Sequence, residues 1–258
     1  HTSSHHHRVK HNTTMVLHPI ISTMLILFYG SGVHCFVGVK PIAGARSCKQ
    51  LHNTPSLSMA LGDFTVQLQK PLGIILQECD DTNGVMVKEL VDGGAASNSQ
   101  IVPRDILLQV NDIDVSKSGF NSVMDLLLSL DESSLVCLTI GDGLGQLDMP
   151  KNVIKLLKTT EDAFFIDAIV RHAVREIRRR NNILGDLLNV EVIIGAGVQE
   201  EGKLGQTRFF AIFSTDGVSS YSCNVSATGR RKDDGTTIEI VSLSAAKDEG
   251  LGQTYQFI

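Results

Sequence analysis

Lys70-Pro71-Leu72-Gly73-Ile74-Ile75-Leu76-Gln77, residues 70–77, ends one extended run and begins another. Before it, Phe64-Thr65-Val66-Gln67-Leu68 alternates in the period of a half-buried strand. Pro71 removes a backbone donor and Gly73 tolerates left-handed backbone, so the break reads as a tight loop. Ile74 to Cys79 then continue as a strand, and residues 80–84 (Asp-Asp-Thr-Asn-Gly) form a turn cluster. Three more strand-like runs follow at 85–90, 106–110 and 135–140. Between the last two, Phe120 to Leu130 has helical spacing. Phe120, Met124 and Leu127 form one stripe and Val123, Leu126 and Leu130 the adjacent core-facing one, with Asn121 and Asp125 toward solvent.

The order of short motifs carries a family resemblance. Pro71-Leu72-Gly73-Ile74 resembles the carboxylate-binding loop of PDZ domains. Gly94-Ala95-Ala96, Ile101, Arg104-Asp105-Ile106-Leu107 and Val110-Asn111 are similar, in that order, to the family's later motifs. Two positions depart from the pattern: Arg104 stands where glycine is usual, and Asp112 replaces the glycine after Asn111.

The resemblance implies a partly open β-barrel or sandwich with two helices over residues 63–141. It also implies a non-enzymatic adaptor that captures C-terminal or extended peptides. An exposed sheet edge accepts an extended peptide as an added strand. Converging loop amides form a nest that favours a terminal carboxylate. Gly73 would keep side-chain bulk away from the incoming oxygen or permit the backbone angles, and Lys70 would add positive charge near the anion. The expected peptide-binding residues are Lys70, Leu72, Gly73, Ile74, Ile75, Leu76, Phe120, Met124 and Leu127. Members that prefer Ser or Thr two residues before the ligand end usually carry His at the helix start. That position is Phe120 here, so the expected partners are protein C-termini with hydrophobic residues. The alternative for Phe120 and Met124 is that they fill the core of a domain whose groove is unused.

Residues 142–158 read as a linker, with Gly141-Asp142-Gly143-Leu144-Gly145 as a hinge. Residues 159–258 read as a small domain, so the whole chain is α+β: the PDZ-like unit, then a helix packed on an antiparallel β-meander. Its helix is expected over Glu161 to Arg180, capped by Thr159-Thr160, with Phe165, Ile166, Ile169, Val170, Ala173 and Ile177 on the apolar face. Arg171, Arg175, Arg178, Arg179 and Arg180 are expected on a solvated face, with docking of an acidic protein or lipid headgroups as the alternative. Strand-like runs follow at 190–198, 208–214, 219–227 and 236–245, with a short one closing the chain. This order resembles small mitochondrial import and assembly domains of the Tim-twenty-one and Coa-one type, from which no function is carried over.

Residues 1–62 read as a presequence, with translation expected to start at Met15. The apolar run from Val16 to Tyr29 is too short for a membrane span and suits a signal peptide over about 15–35. Residues 36–62 carry Lys40, Arg46 and Lys49 and no acid, the composition of a transit peptide. A signal peptide joined to such a segment at Phe36 resembles the bipartite plastid targeting of diatoms. The expected location is therefore the plastid, in the stroma or on the thylakoid, with the secretory pathway as the alternative.

A net charge of −5 argues against a nucleic-acid partner. Five unevenly spaced cysteines are no disulfide framework. Beyond residue 52 the only histidine is His172, on the expected helix and without a nucleophile motif, and Cys79, Cys137 and Cys223 lack metal-ligand spacing. No catalytic residue, metal or cofactor is expected. Two further readings stay open: an accessory subunit of a thylakoid membrane complex, and a PDZ-linked protease.

Overall fold

The computed structural model describes residues 62–79, 84–199, 202–235, 237–247 and 252–258. The expected presequence, except its last residue Gly62, lies outside these residues.

The first unit is a six-stranded antiparallel sheet with one helix on it. Its strands are β1 (Phe64–Gln69), β2 (Ile74–Glu78), β3 (Val85–Leu90), β4 (Ile106–Val110), β5 (Ile113–Asp114) and β6 (Leu135–Gly141). The order is β1-β6-β4-β3-β2, with β5 paired to β4, so β2 is an edge strand. A single 3-10 turn spans Ala95–Asn98, and helix α1 spans Phe120–Ser129. The helix buries Phe120, Val123, Met124 and Leu127 in one cluster with Val85, Leu107, Val136 and Leu138. Its last carbonyls are capped from afar, because the Lys70 ammonium donates to the oxygens of Leu127 and Leu130, each at 2.7 Å. A cation at that end also suits the helix dipole.

Both departures from the PDZ pattern fall on left-handed backbone: Arg104 has φ +70° and Asp112 φ +68°. A glycine at either place would be free of the Cβ clash that such angles impose.

The second unit stacks helix α3 (Thr160–Arg179) on a five-stranded antiparallel sheet. Its strands are β7 (Asp186–Gln199), β8 (Leu204–Ser214), β9 (Ser220–Arg231), β10 (Ile238–Lys247) and β11 (Thr254–Gln256), in the order β11-β10-β9-β8-β7. Thr159 and Asp162 cap α3 reciprocally, each side chain accepting from the other's backbone N–H. Phe165, Ile166, Ile169, Val170, Ala173, Val174 and Ile177 face the sheet and are buried. Gly205 of β8 and Gly229 of β9 pair directly opposite each other and make a notch for Ile169. A Cβ added at Gly205 would come within 2.4 Å of the Ile169 Cδ1 atom, and one at Gly229 within 2.6 Å of its Cγ1.

Two sequence expectations change here. Residues 142–158 are not a free linker. Leu144, Leu147 and Val153 belong to the second unit's core, and a short helix α2 (Lys151–Ile154) packs against β7. The arginine-rich side of α3 is not a solvated face either. Arg171, Arg175 and Arg178 sit one turn apart on one stripe and turn inward to the junction of the two units.

The junction is a polar network. Arg171 donates to Asp142 and Asp167, both at 2.7 Å, and to the Gly145 carbonyl. Arg178, only 2% exposed, donates to the Asp142 carbonyl at 2.7 Å. Arg175 reaches back to the first unit, to the Gln100 carbonyl at 2.7 Å and the Asp105 carboxylate at 3.2 Å, and stacks on the Phe64 ring at 4.3 Å. Burial lifts the Asp105 carboxyl to about 6 against the opposing pull of Arg175, and burial lowers Arg178 to about 10. The solvated expectation fails because periodicity shows which residues share a face, not what covers that face. Arg179 and Arg180 keep to the surface, each paired with Glu176.

Candidate peptide-binding groove

The loop before β2 is built by its carbonyls. The oxygens of Pro71, Leu72 and Gly73 accept from the amides of Ala95, Ala96 and Val91, which ties the loop to the 3-10 turn. Among the described residues, the amides of Leu72 and Gly73 donate to no backbone carbonyl. The loop thus spends its acceptors internally and keeps two adjacent donors unpaired, the arrangement of an anion nest.

Gly73 has φ +68°, and a Cβ there would lie 2.6 Å from the Cα of Gly94. The expected angle requirement is present. The crowding comes from Gly94 backbone rather than from space for a ligand oxygen. Gly94 has the same constraint in reverse, since its own Cβ would meet the Gly73 Cα at 2.6 Å.

Beside the loop lies an apolar cavity of about 50 Å3. One water needs roughly 10–15 Å3 of such space, so the cavity suits one branched aliphatic side chain. Lys70, Pro71, Leu72, Gly73, Ile74 and Leu76 line it from the loop and β2, and Leu127 and Leu128 from α1. Val87, Leu107, Leu138 and Ile140 complete it from the sheet.

Six of the nine expected residues therefore meet at one place: Lys70, Leu72, Gly73, Ile74, Leu76 and Leu127. Ile75 is half-buried outside the lining, because alternation along β2 sends Ile74 and Leu76 to the cavity side. Phe120 and Met124 also lie outside it, 8% and 5% exposed within the core cluster. The C-terminal end of α1, not its start, faces the loop, and this brings in Leu128, which sequence reasoning missed. At 49% exposure Leu128 is a large apolar side chain held in water. Its sequence signal was a leucine one position outside both apolar stripes of the helix. Lys70 is near the cavity as expected, but its ammonium is engaged with the α1 carbonyls.

The outer edge of β2 has no neighbouring strand among the described residues: β3 pairs one side only. No set of three or more metal-ligating side chains gathers among the described residues.

The PDZ domain family matches residues 63–141. The chain is similar to the PDZ domain of choanoflagellate GIPC at 16% identity, over 33% of this chain and 96% of that one, with a TM-score of 0.30. It is similar to the second PDZ domain of Dlg1 from Monosiga brevicollis at 17% identity, over 31% and 90%, with a TM-score of 0.28. The third PDZ domain of INAD, solved with a TRP channel tail, shares 24% identity over 30% and 84%, with a TM-score of 0.27. No curated protein matches the chain. The strand order, the glycine-bearing loop before an edge strand and the family match agree that residues 63–141 are a PDZ domain.

Proposed function

We propose that this protein is a non-enzymatic adaptor whose PDZ domain captures hydrophobic C-termini of partner proteins by β-strand addition. One observation carries the reading: the open edge of β2 lies beside an aliphatic cavity, and the unpaired amides of Leu72 and Gly73 lie at its head. An incoming strand satisfies the edge, its last side chain fills the cavity, and its carboxylate takes the amides. Burial of that side chain is worth about 1.5–3 kcal/mol. The lining is wholly aliphatic apart from Lys70 and Gly73, which favours Val, Leu or Ile at the ligand end. The plastid setting rests on the composition of residues 36–62.

A library of C-terminal peptides screened against the whole chain tests the proposal. Free-acid peptides ending in Val, Leu or Ile are expected to bind at least about tenfold more tightly than their amides, since hydrogen bonds to a charged group contribute about 1.5–3 kcal/mol. Equal binding of acid and amide forms overturns the carboxylate role.

A further inference from the structure

Pro150-Lys151-Asn152-Val153-Ile154-Lys155-Leu156-Leu157-Lys158 runs along the second unit ahead of α3 and takes no part in the groove. From Met149 to Thr160 the chain has three lysines and no acid. Lys151, Lys155 and Lys158 are all exposed. Between them Ile154 is 48% exposed and Leu156 65%, and Phe164 in the first turns of α3 is 51% exposed. Large apolar side chains held in water among like charges are an unusual surface.

The strip is fixed from behind. Val153 is buried, and Leu157 packs against the same core. Helical bonds run from the amides of Ile154 and Lys155 to the oxygens of Pro150 and Lys151. The Asp148 carbonyl accepts from the Ile193 amide and ties the approach to β7. Of the acids that flank the strip, Asp148 is exposed and the two on the C-terminal side are engaged. Glu161 pairs with Arg231 at 2.6 Å, and the Asp162 carboxylate accepts from the amides of Lys158 and Thr159.

We propose that Lys151–Lys158 is a docking strip for an anionic bilayer surface, with the lysines at the headgroups and Ile154 and Leu156 below them. Positive charge and exposed aliphatic side chains within one short strip select this occupant. A bilayer offers negative charge above hydrocarbon over the depth of one side chain, matching lysines that alternate with aliphatic residues. A flat acidic protein surface would leave Ile154 and Leu156 facing charge. Among the described residues no helix is long and apolar enough to cross a membrane, so the contact would lie on the surface.

The test uses the whole chain with vesicles of phosphatidylcholine alone or mixed with phosphatidylglycerol. Three lysines are expected to give on the order of 100-fold tighter binding to the anionic vesicles, weakening as salt is raised. The combined change K151E, K155E and K158E removes the difference while leaving the urea midpoint unchanged. The chain contains no tryptophan, so L156W is a single reporter of burial, and its emission is expected to shift blue on anionic vesicles. Equal binding to both vesicle types overturns the proposal. So does an unshifted L156W emission at saturating anionic vesicle, an outcome that would point to an acidic protein instead.

Discussion

The groove and the domain junction are built from the same kinds of group and treat them in opposite ways. At the groove the loop carbonyls are satisfied, while two amides, one strand edge and Leu128 are left for something else. At the junction Arg171, Arg175 and Arg178 each find acceptors, and Asp105 and Asp142 are fully enclosed. Unpaired polar groups at a surface cost little while water serves them, and they become strong when a ligand replaces that water. Buried charges have no such reserve and must be paired within the fold. The difference separates a binding site from a structural joint more reliably than residue type does.

The strongest way to break the contrast is to unpair the joint. Asp142→Ala leaves the Arg171 guanidinium, 8% exposed, with Asp167 as its one carboxylate partner. The expected loss is about 3–5 kcal/mol in urea unfolding. A loss below about 1 kcal/mol would show that the network is dispensable.

A pH series sharpens the same point. The Asp105 carboxyl is raised by burial to about 6 in the fold from its ordinary value of 3.8. The folded state therefore binds the proton more tightly. This contribution is fully present below about pH 4 and is lost as pH rises through 6, by up to about 3 kcal/mol. Asp105→Asn, neutral throughout, should lack that falling limb when its urea stability is compared with wild type between pH 4 and 7. Parallel profiles would place the carboxylate in a better-solvated setting.

The helix–sheet notch gives a smaller effect. Gly205→Ala forces a methyl against Ile169 and should cost about 1–3 kcal/mol. Adding Ile169→Val should return part of that loss in a double-mutant cycle, and strict additivity would show that the two residues do not share the space. The smallest change goes the other way. Asp112→Gly relieves φ +68° and is expected to stabilise by about 0.5–1 kcal/mol, read as a higher Tm.

Local features were legible for local reasons. The runs 85–90 and 106–110 are strands with those limits because alternation and turn residues act within a few positions. Leu72-Gly73 gave away the loop, since few sequences tolerate its left-handed backbone. Legibility ended where a neighbour distant in sequence decides. Leu127 could be placed at the groove from helix register, but Phe120 shares its stripe and does not line the cavity. Lys70 looked like a carboxylate partner because nothing nearby in sequence shows the ends of α1.

From the chain alone came most of the strands, helices α1 and α3 and the turn at Gly73, all consequences of period and backbone preference. Tertiary structure decided which end of α1 meets the loop, that residues 142–158 are packed, and that three arginines close a joint instead of facing water. Those outcomes depend on pairing across long sequence separations, and periodicity along a chain holds no record of which face meets which.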